Sequence, residues 1–289
     1  MKQAYLIIAH ADFKTLQLLI DTLDGIENDF FIHFDKKIEV LPKLNSKFSK
    51  IFILNERLDV RWGDITLIKV ELALLEMAIE KSISENPYSY FHIISGNHLP
   101  LYSKSYIYTF FEKFGKTQIQ KMETNEDEIN LKFRSYNFFV RGFMHKNPNI
   151  KKLIQFFWKI PVIIQKRTKL FREKKYPYFS KGSQWISLNP ESAKYLNMRK
   201  EEILINFKYS FCSDEFFIPT ELENSNLKNE IFYNDYLLKC TFEGATTKFY
   251  NSSHQEELLN SHCLFGRKFS DEAIDFNRSL MEIISNRQR

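Results

Sequence analysis

The stretch Phe211-Cys212-Ser213-Asp214-Glu215-Phe216-Phe217-Ile218 sets two adjacent carboxylates inside an apolar, ring-rich run. A carboxylate packed among Phe side chains is costly to ionise, so its pKa rises toward the range where it can exchange protons. Glu215 and Asp214 are therefore candidate general bases. The same residues also fit a helix N-terminus, with Ser213 as the cap and both acids in the first turn, where the helix dipole favours negative charge.

A second concentration of charge is basic. Between Arg141 and Lys175 stand eleven Lys or Arg against one acid, Glu173, although the whole chain carries only +5. Leu153, Phe156, Phe157, Trp158, Ile160, Val162, Ile163 and Ile164 interleave with them. That pattern suits a segment lying on an anionic membrane surface, and equally a solvated basic connection over the core. Pro161 is expected to kink or break any helix there. No nucleic-acid-binding motif accompanies the charge, so nucleic acid is not an expected partner.

Several other chemistries find no support. None of the eight glycines forms a G-x-G pair, which removes the dinucleotide fingerprint and the Walker loop. There is no Asp-x-Asp to hold a divalent ion against a diphosphate, so any diphosphate must be neutralised by Lys and Arg. Ser95-Gly96-Asn97-His98 is not the G-x-S-x-G elbow of a serine hydrolase, and Gly182-Ser183-Gln184-Trp185 lacks its second glycine. Cys212, Cys240 and Cys263 are odd in number and widely spaced, which argues against a disulfide framework or a zinc site.

The elements that must position these residues are readable in the first 115 positions. Ala4–Ala9, Asp29–Phe34, Ile51–Leu54 and Tyr90–Ile94 are β-prone apolar runs. Between them, Phe13, Leu16, Leu19, Ile20 and Leu23 recur at helical spacing, as do Leu67, Val70, Leu74, Met77 and Ala78 in a helix expected from Asp64 to about Ser84. The order β-α-β-β-α-β predicts an α/β sheet with helices on both faces. Ligands of such sheets sit beyond the carboxyl ends of the strands, which directs attention to His10, Asp35, 57–63 and 95–98. A chain of 289 residues with 44% apolar content, 28 Phe and 14 Tyr supports a ring-packed core. No apolar run reaches the ~20 residues needed to span a bilayer, and the start lacks a signal-peptide layout, so a cytoplasmic protein is expected.

Seven segments in order along nearly the whole chain then carry a resemblance. They are Ala4-Tyr5-Leu6-Ile7-Ile8-Ala9-His10, Phe31-Ile32-His33-Phe34-Asp35-Lys36-Lys37, 60–68 with Trp62-Gly63-Asp64, 91–101 with Ser95-Gly96-Asn97-His98-Leu99-Pro100, Lys181-Gly182-Ser183-Gln184-Trp185, Ser213-Asp214-Glu215-Phe216, and Leu264-Phe265-Gly266-Arg267-Lys268-Phe269. Together they resemble the core-2/I-branching β-1,6-N-acetylglucosaminyltransferase family, whose relatives include xylosyl- and glucuronosyltransferases. The resemblance implies a GT-A-type nucleotide-sugar fold, a mixed and mostly parallel sheet. It implies one domain over 1–289, with 1–115 as the nucleotide-binding half and 116–289 as the acceptor and catalytic half. It also implies an inverting enzyme that needs no metal, in agreement with the missing Asp-x-Asp.

By position in those motifs, Glu215 matches the catalytic base, and Asp214 its orienting neighbour. Asp35 would hydrogen-bond the uracil or ribose of a UDP-sugar, with His10 lining the base pocket. Lys268, with Arg267, would face the diphosphate, and Lys239 is the nearest candidate for a further basic residue. Apart from the resemblance, Arg267 and Lys268 read as a solvated surface pair. Ser183 and Trp185 would wall the sugar site, the alternative for Trp185 being a core ring, and Arg134 falls near an acceptor contact. Animal members carry an N-terminal anchor and luminal disulfides; this chain, with neither, looks like a bacterial cytoplasmic relative. Its acceptor would be a glycan, as a lipid-linked oligosaccharide of surface-polysaccharide synthesis at the inner membrane face. A rival reading is a non-catalytic carbohydrate-binding or membrane-scaffold protein that keeps the fold, which explains Trp185 and the basic stretch without chemistry.

Overall fold

The computed structural model describes the chain except for residues 85–86, 174, 244–245 and 288–289, so Lys174 of the basic stretch lies outside the described residues. Strand and helix alternate first: β1 (Lys2–Ala9), α1 (Phe13–Leu23), β2 (Asn28–Phe34), β3 (Ile51–Ile53), α2 (Thr66–Ser84), β4 (Tyr88–Ser95), β5 (His98–Pro100) and α3 (Lys104–Phe114). Shorter pieces follow: β6 (Thr117–Ile119), β7 (Lys121–Met122), α4 (Glu126–Ile129), α5 (Pro148–Thr168), β8 (Lys181–Gly182), β9 (Ser187–Leu188), α6 (Pro190–Met198), α7 (Lys200–Phe207) and α8 (Phe217–Glu223). The chain ends with β10 (Ile231–Tyr233), β11 (Leu238–Cys240), β12 (Phe242–Glu243), β13 (Thr246–Thr247), α9 (Gln255–Leu259), β14 (Phe265–Arg267) and α10 (Ile274–Ser285).

Seven strands form one sheet in the order β10-β6-β9-β4-β1-β2-β3. Only β9 runs against its neighbours; β1 pairs in parallel with β2 and β4, and β10 with β6. The mixed, mostly parallel α/β sheet expected from the sequence is therefore present. Its strands come from both ends of the chain, β6, β9 and β10 extending the sheet begun by β1 to β4.

Period-two alternation in β1 builds both cores. Ala4, Leu6 and Ile8 face one cluster with Phe31, Phe91 and the apolar sides of α2, α6, α7 and α8. Tyr5, Ile7 and Ala9 face the other, with Phe30, Ile32, Phe34 and residues of α1, α3 and α10. Because both faces are covered, β1, β2 and β4 read as continuous apolar runs. At β1 the connections diverge, through α1 to β2 on one side and through α2 to β4 on the other. Asp35 N–H donates to Ala9 O at 3.0 Å and Gly96 N–H to Ile8 O at 3.1 Å, which holds three strand ends side by side. A small sheet, β11-β14-β5, lies at that end and brings Arg267 opposite His98.

Pro161 does not break α5. Asn147 caps the helix by accepting from Asn149 N–H at 2.9 Å, and Pro148 occupies the first turn, where a missing N–H costs nothing. A proline inside a helix costs about 3 kcal/mol. Packing of the inner face offsets it: Trp158 meets Phe143 and Phe211 at 5.0 and 5.8 Å and donates to Asn137 Oδ1 at 2.9 Å, while Gln165 donates to Pro161 O at 3.1 Å and accepts from Tyr136 N–H.

Candidate active site

The acid pair lies in a single 3-10 turn, Ser213–Glu215, between the end of α7 and the start of α8. Ser213 does not cap it. Cys212 holds the capping position with φ +49, and the Ser213 hydroxyl is buried without a hydrogen-bond partner. The turn is fastened from below: Cys212 N–H donates to Gly63 O at 2.9 Å and Phe211 N–H to Lys132 O at 2.9 Å. A Cβ at Gly63, whose φ is +72, would meet the Phe211 ring at 2.7 Å, so the Trp62-Gly63-Asp64 corner needs glycine to sit against the turn.

Glu215 is partly exposed, and its Oε2 lies 3.6 Å from both Lys132 Nζ and Lys181 Nζ. Those two ammoniums converge because Glu128 Oε1 binds them both, at 2.8 and 2.9 Å, and because both ride over the buried Phe216 ring. Partial burial opposes ionisation of Glu128, but hydrogen bonds from Lys132, Lys181 and Thr124 outweigh it and bring its pKa down to about 2. Lys132 comes from a π-helical turn, Asn130–Arg134, and Lys181 from β8. Lys181 opens one of the resembling segments, but nothing there implies its place beside Glu215, and neither Lys132 nor Glu128 as the bridge follows from the sequence motifs; only the Glu128–Lys132 spacing of four hints at that pair.

Asp214 is a carboxyl that burial perturbs. Desolvation first and the Glu215 charge second push its pKa up to about 7. Behind it stands a residue the sequence reading passed over. Glu71 of α2 is 1% exposed; burial above all, and then Asp214, hold its pKa well above the usual carboxylate range. Its Oε1 accepts from Gln184 at 2.8 Å, and its Oε2 has no partner. Helical spacing could have found it, since position 71 falls on the same face as Leu67, Val70, Leu74 and Ala78.

Residues 181–185 connect this acidic end to a basic one. Gly182 lets β8 lie on β7, where a Cβ would meet Ile119 at 2.6 Å. Ser183 N–H donates to Gln120 O at 2.8 Å, and its hydroxyl accepts from Trp185 N–H at 3.2 Å. Trp185 is partly buried and packs against both core clusters. The Arg267 guanidinium lies 5.0 Å from the Trp185 ring, and the buried His98 meets the same ring edge-on at 4.9 Å. Arg267 Nε also reaches Ser95 Oγ at 3.5 Å.

Among the described residues neither Arg267 nor Lys268 forms an ion pair. Burial lowers the pKa of both and Arg267 lowers that of Lys268 further, an effect that the Asp12 charge offsets only in part, so two cations crowd one another without an ion pair. His10 is at the rim; desolvation by the surrounding protein and then the Lys268 charge lower its pKa. Asp35 is buried beyond β2, where its carboxylate takes Lys37 N–H at 2.9 Å and Lys37 Nζ at 2.6 Å. The structure thus gathers His10, Asp35, Arg267, Lys268 and Trp185 at the carboxyl edge of the sheet, with Ser183, Asp214 and Glu215 a few residues away along the 181–185 segment.

Two candidates stand apart. Lys239 is in register with Gly266, on the face of β11 opposite Cys240, which is the residue paired with Arg267; its ammonium binds Glu257 at 2.8 Å. Arg134 lies over Phe171 at 5.1 Å and donates to Asn130 Oδ1 at 3.2 Å, with no contact to Glu215.

In comparisons with known proteins, the family described as Core-2/I-Branching enzyme matches residues 3–256. No curated protein matches the chain. Among solved structures, mouse xyloside xylosyltransferase 1 in its apo form aligns over 91% of this chain and 97% of its own at 8% identity, with a TM-score of 0.36.

Proposed function

Because the chain belongs to the core-2/I-branching enzyme family, and so is a glycosyltransferase working between a nucleotide-sugar donor and a glycan acceptor, we propose an inverting, metal-independent transfer from a UDP-sugar in a GT-A-type fold, with Glu215 as base. The observation that carries this reading is the pairing of two crowded cations, Arg267 and Lys268, that form no ion pair among the described residues, with a partly exposed carboxylate, Glu215, across the Trp185 segment. Desolvated like charges without a counterion are costly, and an anionic ligand removes that cost.

In this mechanism the acceptor hydroxyl attacks the anomeric carbon from the side opposite the leaving UDP. Its proton passes to Glu215, the bond from the anomeric carbon to the phosphate oxygen breaks, and the electron pair leaves on the diphosphate. Arg267 and Lys268 neutralise that developing charge, the part a divalent ion plays elsewhere. The absence of Asp-x-Asp from the sequence supports the metal-free reading. Asp35 and His10 receive the uridine, and Trp185 and Ser183 border the transferred sugar. Lys132 and Lys181 keep Glu215 aimed, since each is itself held by Glu128. The acceptor in this reading is a glycan of surface-polysaccharide synthesis.

Release of UDP from UDP-N-acetylglucosamine, UDP-xylose and UDP-glucuronate, with and without EDTA, tests the proposal. Turnover of one donor that survives EDTA is expected, and Glu215→Gln should lower kcat by about 10²–10⁴-fold. Full loss with EDTA overturns the metal-free claim; undiminished turnover in Glu215→Gln removes Glu215 from the base role.

A further inference from the structure

We propose that α5 and the turn before it form a docking surface for an anionic lipid bilayer, with the helix lying in the plane of the headgroups. The face of α5 turned to solvent is the apolar one. Leu153, Phe156, Phe157, Ile160, Ile163 and Ile164 are each at least 40% exposed, and at 100° per residue they occupy an arc of about 120°. Lys152, Lys159 and Lys166 recur every seven residues and therefore line one edge of that arc. No Asp or Glu occurs in the helix. Trp158 and Gln165 point the other way, into the protein.

The backbone supplies a second observation. Phe139, in the turn that leads to α5, has φ +66 and is 61% exposed. A bulky residue in the left-handed region is strained, and here the strain presents a ring to solvent rather than filling a core. Met144 and Leu170, in the segments just before and just after the helix, are 61% and 69% exposed. Monomeric soluble proteins seldom expose an apolar strip of this length.

Charge decides the occupant. Among the described residues Lys152 and Lys159 have no ion pair, and Lys166 has only the exposed Asp127 at 3.9 Å. A second copy packed antiparallel on this face would set the lysine rows side by side, and one packed parallel would still offer them no anionic partner, since the helix carries no Asp or Glu. A surface of anionic headgroups over acyl chains satisfies both the lysine edge and the apolar arc. Since no helix among the described residues is long and apolar enough to cross a membrane, α5 lies on the surface. Through Trp158 and Phe143 the helix packs on Phe211, two residues before the Glu215 turn. Delivery of a lipid-borne acceptor to Glu215 rests on the function proposed above, whereas lipid binding does not.

Co-sedimentation of the full chain with vesicles of phosphatidylcholine alone, and with an equal part of phosphatidylglycerol, tests this without any sugar substrate. Binding to the anionic vesicles only, weakened by salt, is expected. Lys152→Gln, Lys159→Gln and Lys166→Gln together should weaken it by about 10²-fold, and Phe156→Ser with Phe157→Ser should remove it. All these positions are exposed, so the melting temperature should hold; if the Phe pair aggregates, the lysine triple decides alone. Equal sedimentation with both vesicles, no sedimentation with either, indifference to the lysine triple, or a lipid-free dimer lost in the Phe variant would each overturn the proposal.

Discussion

Glu215 and Arg267 stand at the two ends of residues 181–185, and the protein treats their charges in opposite ways. Around Glu215 the charge is balanced internally: two ammoniums, each tied to Glu128, approach one carboxylate. Around Arg267 it is left largely unbalanced: Lys268 stands alongside, Asp12 offsets part of the Lys268 charge, and no carboxylate forms an ion pair with either among the described residues. The balanced end needs nothing further to be ordered, which suits a group that must hold one position. The unbalanced end is completed by whatever anion arrives, which suits a site that binds and releases a charged leaving group.

Removing a cation from the unbalanced end should have the largest effect on the comparison. Arg267→Ala is expected to lower kcat/KM by about 10²–10³-fold, since it takes away a preorganised partner of the departing phosphate. UDP affinity, read by calorimetry, should fall with it, whereas Glu215→Gln should leave UDP affinity unchanged. Equal UDP affinity in wild type and Arg267→Ala would show that the two ends are not specialised in this way.

The balanced end is broken at its bridge. In Glu128→Gln both lysines lose their shared partner and are free to close on Glu215, so kcat should fall by about tenfold while KM for the donor stays put. A rise in donor KM instead would place Glu128 on the nucleotide side.

Both ends draw on parts of the fold that differ in how openly the sequence states them. β1, β2 and β4 are legible as apolar runs of strand length, and α1 and α2 because each is long enough for its helical period to show. β6 through β10 are not, since strands of two or three residues have no period and exist through the partners they pair with. The same holds for the site. Glu215 and Lys268 could be singled out from local motifs, but the meeting of Lys132, Lys181 and Glu128 is a tertiary event between segments fifty residues apart. The raised pKa that the apolar run predicts is met at Asp214, while Glu215 lies between two ammoniums that no local motif announces. α5 shows the reverse case, where a local rule about Pro161 yields to the packing of Trp158.

Asp214 offers a milder test through pH. Its folded pKa, near 7, lies above the value in an unfolded chain, so native protein retains a proton that the unfolded chain has lost. Its contribution to stability therefore declines as pH rises from about 4 to about 7. Asp214→Asn should match wild type in melting temperature near pH 4 and exceed it at pH 8. The kcat/KM profile of wild type should show an inflection near pH 7, where a second charge appears beside Glu215, and the variant should lack it. An unchanged profile would remove Asp214 from any influence on the base.

Glu71 gives the smallest effect and the sharpest division between structure and catalysis. Its carboxyl is buried, one oxygen has no partner, and Asp214 is close enough to raise its pKa. The direction of that shift means that ionisation is disfavoured in the folded state, so stability should fall as pH climbs above the ordinary Glu range. Glu71→Gln keeps an oxygen for Gln184 and removes the charge, and should raise the melting temperature at pH 8 by about 2–4 °C for each kcal/mol recovered. At pH 4, where both forms are neutral, the gain should vanish. Combining it with Asp214→Asn decides whether the two acids act as one unit: contacting charges give coupling energies of about 0.5–3 kcal/mol, whereas independent sites add. Coupling means that the neutral form of one acid permits the charge of the other, and the state of the Glu215 turn then reaches back into α2. Additivity would confine Glu71 to the core and leave Asp214 as the only acid that reports to the base.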